Sequence, residues 1–149
     1  MCIRDSDVEG DRYVTLLLAR LDLSAPSLVY ASAGHATGYV LDATGAVKRA
    51  LGSLDVPLGV HPRHVFQTSE PVPLAGGDLV VLLTDGMAEA RDPHGQAFTA
   101  GCVLDVVRYY RRAGARQIVE NLYHAVRAFA QNLPQRDDIT AVVIKARPG

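Results

Sequence analysis

Two short stretches carry residue types that could do chemistry together. Thr84-Asp85-Gly86 follows directly on the apolar run Leu79–Leu83, and Arg136-Asp137-Asp138 directly precedes the apolar run Ile139–Ile144. If the two runs are neighbouring antiparallel strands, the end of one lies beside the start of the other, and Asp85 and Asp137 converge at one edge of the sheet. Carboxylates gathered at the rim of an apolar core repel each other until one takes up a proton or a cation neutralises them. All-oxygen sets suit hard ions such as Mg²⁺ or Mn²⁺, and Gly86 lets the backbone turn sharply at the site. Each stretch taken alone also has an ordinary structural reading. Asp-Gly is a common turn dipeptide, and an Asp-Asp pair before a strand is commonly a solvated flank. The feature that favours a site is the helix-like Met87-Ala88-Glu89-Ala90-Arg91 after Gly86, where a hairpin would need alternation.

The elements that must position these residues are legible as patterns. Leu79–Leu83 is the most apolar run in the chain; short and preceded by the Gly76-Gly77-Asp78 turn, it reads as a buried strand, and Ile139–Ile144 reads as another. Arg12–Asp22 has apolar residues on both alternating faces, which predicts a strand covered on both sides. Ser24–Ser27 is a turn, and Leu28–Ala33 makes the second arm of a hairpin. Gly34-His35 breaks it, Gly38–Leu41 resumes extended structure, and Thr44-Gly45 turns the chain into Ala46–Leu51. Gly52–Pro62 is a Gly- and Pro-bearing loop, and His64–Ser69 is a weak strand. Val103, Val106, Val107 and Tyr110 form a helical stripe within Gly101–Arg112; Ile118, Leu122, Ala125, Val126 and Phe129 form a second within Arg116–Gln131. Gly114 sits where a helix stop is expected, and Pro134 ends the second helical region. Strands, then two helices, then a strand predict an α+β fold, a mainly antiparallel sheet with helices on its face, and not a doubly wound parallel sheet.

Composition bounds the function classes. A chain of 149 residues, 48% hydrophobic and 21% charged, is one globular domain or part of one. The formal net charge of -1 excludes a strongly basic nucleic-acid binder, so no nucleic acid is expected as a partner. No apolar run reaches the length of a membrane span. Two cysteines, Cys2 and Cys102, are too few for a disulfide framework, which makes the cytoplasm the expected compartment. Met1–Ser6 has no apolar signal region and matches no pattern that follows. Residues 1–11 are expected to be an unstructured or non-native leader.

Five segments, in order, resemble a known family: Tyr13-Val14-Thr15-Leu16 with Arg20-Leu21-Asp22; Ala33-Gly34-His35; Pro57-Leu58-Gly59-Val60; Leu83-Thr84-Asp85-Gly86 through Arg91; and Asp137-Asp138-Ile139-Thr140 through Val143. The chain resembles the metal-dependent protein phosphatases of the PPM or type 2C superfamily, in the branch of bacterial stage II sporulation protein E. The resemblance implies an αββα sandwich of mainly antiparallel sheets with flanking helices, incomplete at the amino terminus, with residues 12–149 as the carboxy-terminal portion of a single phosphatase domain. It implies hydrolysis of phosphoserine or phosphothreonine by a water activated on two Mn²⁺ or Mg²⁺ ions. The implied substrate is a regulatory protein such as an anti-sigma-factor antagonist, and an upstream sensor domain is implied in the intact protein. By position, Asp85 and Asp137 resemble metal ligands of the same ion. Asp138 resembles a neighbour that orients the site, with Gly86, Glu89 and His35 beside it as further candidates.

The departures matter equally. The family's Gly-Asp-x-x-Asp and Asp-x-Ser-Gly-His-Gly segments, which supply the Asp that bridges both ions, do not occur in this sequence. At most one partial site is therefore expected here, with weak metal binding and little or no turnover by this chain alone. The remaining residues have competing readings. His35 is a phosphate contact or, the favoured reading, an imidazole that shapes its turn. Glu89 is a neighbour of Asp85 or a helix-start carboxylate. Arg91 faces phosphate or is simply exposed. Arg108, Arg111 and Arg112 are a docking patch or a solvated helix face. The alternative to an enzyme is a non-catalytic, phosphatase-like module that binds a regulatory partner; a purely structural domain would leave Asp85 and Asp137 without a role.

Overall fold

The structure, a computed structural model, describes residues 13–131, 133–134 and 138–147 of the 149. The leader expected at 1–11 lies outside the described residues, and so do Arg136 and Asp137. The elements run β1 (Leu16–Asp22), β2 (Ser27–Ala33), β3 (Gly38–Leu41), β4 (Val47–Leu51), β5 (Val72–Pro73), β6 (Leu79–Leu83), α1 (Asp85–Glu89), α2 (Ala100–Tyr110), α3 (Ala115–Phe129) and β7 (Ala141–Lys145). The described residues fall into two compact units, one drawn from residues up to 37 and from 51–74, the other from 38–50 and from 75 onward. The expected α+β composition, with antiparallel pairing and helices late in the chain, is what forms.

In the first unit, β1 and β2 make the expected hairpin, in antiparallel register from Leu16↔Ala33 to Asp22↔Ser27. Asp22 sets the turn, its carboxylate accepting the amides of Ser24 at 2.8 Å and Ala25 at 3.1 Å. β5 pairs with the other edge of β2 through Leu28↔Val72. The alternation of β2 buries Leu28, Tyr30 and Ser32 on one face.

Two expectations fail in this unit. β1 is not covered on both sides: none of its residues is buried, and Leu18 is 65% exposed. Among the described strands only β2 lies beside it, and its alternate residues Leu17 and Ala19 are no more than half-buried. The strand expected at His64–Ser69 does not form either. Its backbone groups bond elsewhere: Gln67 N–H to the Asp55 carboxylate and Ser69 N–H to the Tyr30 carbonyl, with the Ser69 hydroxyl taking the Tyr30 amide in return.

In the second unit the sheet order is β4-β3-β6-β7. β6 lies between β3 and β7, antiparallel to both, which is why its residues are almost all buried. Leu79, Val81 and Leu83 join Leu41, Met87, Val103, Val107, Ile118, Leu122 and Val126 in one core cluster. The two helical stripes thus meet the sheet as their spacing requires. Phe98 and Phe129 close the cluster edge to face, with ring centroids 5.2 Å apart.

Three elements of this unit differ from what their sequence pattern predicts. β7 is half-buried and not a buried strand, with Val142 44% exposed, because it is the edge of its sheet. Gly114 does not stop α2. It is the N-cap of α3, with φ -67° and ψ 154°, while α2 ends at the Arg111 C-cap. Glu89 is not a helix-start carboxylate, since it is the last residue of the five-residue α1. Two of the three arginines at the end of α2 bond within the unit, while Arg112 is exposed. Arg108 Nε donates to the Gly45 carbonyl at 3.0 Å, holding the β3–β4 turn, and Arg111 Nη1 donates to the Arg108 carbonyl at 2.9 Å.

Candidate functional site

β6 and β7 pair from Leu79↔Lys145 to Leu83↔Ala141. The two runs are antiparallel neighbours, the condition on which the sequence reading rested, and the carboxyl end of β6 therefore lies beside the amino end of β7. Beyond the last ladder pair the chains stay together: Thr84 N–H donates to the Thr140 carbonyl at 3.1 Å. The Thr84 hydroxyl accepts Thr140 N–H at 2.9 Å and lies 3.3 Å from the Asp138 carbonyl. The stretch that carries Asp85 is thereby tied to the stretch that carries Asp138.

Asp85 opens α1 and is exposed; it is the acidic residue of the first turn, where the exposed amides favour negative charge. Gly86 and Met87 behind it are buried, so the backbone runs tight against the core while the carboxylate faces outward. Asp138 is exposed and Glu89 is exposed at the far end of α1. Asp137, the other expected ligand, lies outside the described residues. A cleft of about 690 Å³ opens beside Gly86, with Val126 and Ile139 among its apolar walls and Glu89, Arg91 and Arg127 among its polar ones. Arg91 is exposed; Arg127 Nη1 donates to the Leu133 carbonyl at 3.3 Å.

His35 belongs to the first unit, where its Nδ1 lies 3.2 Å from the Thr15 hydroxyl. Three of the five segments that carry the family resemblance meet there. Val14 and Leu58 exchange backbone bonds at 3.0 and 2.9 Å. Gly34, at φ +64°, lies so close to Pro57 that a Cβ would run into the proline ring. The other two segments meet at the β6–β7 edge.

The donors at that edge fit a hard divalent ion in kind, since they are carboxylate oxygens exposed at the end of a sheet. They supply only part of a shell: among the described residues no three His, Cys, Asp or Glu side chains converge as a metal-holding group. The edge was expected only on the assumption that the two apolar runs pair antiparallel, and nothing in the sequence showed that Thr84 ties it.

The fold is that of the PP2C-type phosphatase domains. The SiaA PP2C domain of Pseudomonas aeruginosa superposes with a TM-score of 0.75 at 25% identity, covering 88% of this chain and 51% of that one. The phosphatase domain of SpoIIE from Bacillus subtilis superposes with a TM-score of 0.69 at 19% identity, covering 91% and 57%. Within that class, the stage II sporulation protein E (SpoIIE) family model matches residues 3–147, and the chain belongs to this family. Among curated proteins it is 22% identical to the phosphoserine phosphatase RsbU of Bacillus subtilis over 143 residues, and 25% identical to protein IcfG of Synechocystis over 132 residues. It covers 42% and 20% of their lengths, so it spans less than half of either relative. Among the described residues no helix is long and apolar enough to cross a membrane.

Proposed function

We propose that this chain contributes the β6–β7 edge of a metal-dependent protein serine/threonine phosphatase acting on a phosphorylated bacterial regulatory protein, such as an anti-sigma-factor antagonist, in the cytoplasm. The observation that carries the reading is the antiparallel register that brings Thr84-Asp85 beside Asp138-Thr140 in a chain of the SpoIIE family. Asp85, with Asp137, would hold a Mn²⁺ or Mg²⁺ ion through carboxylate oxygen, and Asp138 would orient the segment. Such an ion, when bound, lowers the pKa of a water and neutralises phosphoryl charge. In the hydrolysis, water adds to phosphorus, the ester P–O bond breaks, and the seryl or threonyl oxygen leaves with a proton. The chain's own part is to hold carboxylates at a rim where the backbone cannot spread, and to offer the cleft beside Gly86 to the peptide around the phosphorylated residue. A sensor domain in the full-length protein would set when this happens.

The test is Mn²⁺-dependent phosphate release from a phosphoserine protein by the full-length gene product. Asp85→Asn and Asp137→Asn are each expected to lower it by more than the roughly 10- to 100-fold that loss of an outer ligand partner costs, with the fold intact by circular dichroism. Full activity in both variants sinks the assignment of the edge. A non-catalytic binding module is the second reading, motivated by the two family ligand segments, Gly-Asp-x-x-Asp and Asp-x-Ser-Gly-His-Gly, that do not occur in this sequence. It requires partner binding that is indifferent to EDTA and to Asp85→Asn.

A further inference from the structure

Thr84 is the N-cap of α1, with extended backbone at φ -93° and ψ 163°. Threonine is favoured there because its hydroxyl can accept a first-turn amide. In this protein it makes no such bond. The hydroxyl turns instead to the neighbouring chain, accepting Thr140 N–H at 2.9 Å and donating to the Asp138 carbonyl at 3.3 Å, with the Thr140 carbonyl as a second acceptor at 3.5 Å. A hydroxyl is one donor and two acceptor sites, so a single side chain satisfies an amide and a carbonyl together.

The place of this bond gives it a consequence. The regular ladder ends at Leu83↔Ala141. One residue further, one partner enters a helix and the other is irregular, and each carries a carboxylate at that point: Asp85 immediately after the hydroxyl, Asp138 at the carbonyl it contacts. Like charges at such an edge favour spreading. A cross-strand pin opposes it and lowers the reorganisation needed to gather donors around a cation.

We propose that Thr84 is a positioning residue: its hydroxyl pins the turn bearing Asp85 to the segment bearing Asp138, and divalent-ion affinity at this edge depends on that pin. The inference rests on the reading of Asp85 as a ligand. Valine keeps the shape of threonine without the hydroxyl, and serine keeps the hydroxyl without the methyl.

The experiment is calorimetric titration of the full-length protein with Mn²⁺, alongside amide exchange at Thr140 and the thermal midpoint. Thr84→Val is expected to weaken Mn²⁺ binding by roughly 10- to 100-fold and to speed Thr140 exchange, while Thr84→Ser behaves as the parent. Should the valine variant not fold, Thr84→Ala against Thr84→Ser makes the same one-hydroxyl comparison, and protection of Thr140 N–H in the parent checks the pin with no variant at all. Undiminished Mn²⁺ affinity in Thr84→Val, with affinity lost in Asp85→Asn, overturns the positioning role and leaves the ligand reading standing. Equal loss in the serine and valine variants, or an unprotected Thr140 amide in the parent, also overturns it. Unchanged affinity in Asp85→Asn, or no Mn²⁺ binding by the parent, removes the ligand reading itself.

Discussion

Single side chains hold the loop of the first unit in place. The Asp55 carboxylate accepts Gln67 N–H at 2.7 Å on one oxygen and meets His64 Nε2 at 2.7 Å on the other. The backbone hydrogen bond from Gln67, followed by the contact with His64, holds its carboxyl below the ordinary value of 3.8. Because the folded value is the lower one, the stabilisation is present above the ordinary value and is lost as pH falls through the depressed one. The thermal midpoints of the parent and Asp55→Asn are therefore expected to differ at neutral pH and to converge as pH drops below 3.8. A gap that stays constant to strongly acid pH would show that the carboxylate's charge is not what holds the loop. Asp22 and Asp42 are lowered by their own turn hydrogen bonds, so the difference between variants isolates Asp55, which the parent curve alone does not.

At the scale of elements, the two lysines of the chain do structural work between segments distant in sequence. Lys48 on β4 reaches Asp78, just before β6, at 2.7 Å, and Asp78 is almost wholly buried. Lys145, the last residue of β7, donates to the carbonyls of Arg111 at 2.8 Å and Ala113 at 2.7 Å. Those carbonyls lie at the C-terminal end of α2, where no residue of the helix itself can take them, and a cation is favoured there. Lys145→Met keeps the stem and removes the donor. It is expected to cost about 1–3 kcal/mol, read as a lowered urea midpoint with an unchanged slope. An unchanged midpoint would mean that water serves the carbonyls as well. The same strand carries the candidate site at its other end, so the α2 contact anchors β7 from one end while Thr84 holds the other.

At the scale of the molecule, β1 stands out, a strand of LLLARLD with Leu18 65% exposed and only β2 beside it among the described strands. An apolar strand with an open edge is a template for pairing with another chain. For the 149-residue chain, Leu18→Lys is expected to lower concentration-dependent light scattering without lowering the thermal midpoint; unchanged scattering would place self-association elsewhere. The strands that sequence pattern alone determined are those whose signal is local. LVVLL and the run ending in VVI are apolar enough to be strands in any α+β context, and the two helical stripes need only their own spacing. That the end of β6 lies beside the start of β7 followed from them once antiparallel pairing was assumed; Asp137, the residue expected to meet Asp85 there, lies outside the described residues. Tertiary structure alone decided what depends on distant partners. Whether β1 and β7 are covered is set by what lies beside them, and Gly114 opens α3 because α2 has already ended at Tyr110. The segment at 64–69 forms no strand because Asp55 and Tyr30 take its amides. Thr84 is the N-cap of α1, yet its hydroxyl bonds 56 residues away. A hydroxyl takes whichever partner the fold brings within reach, and that choice is not written within one turn of the chain.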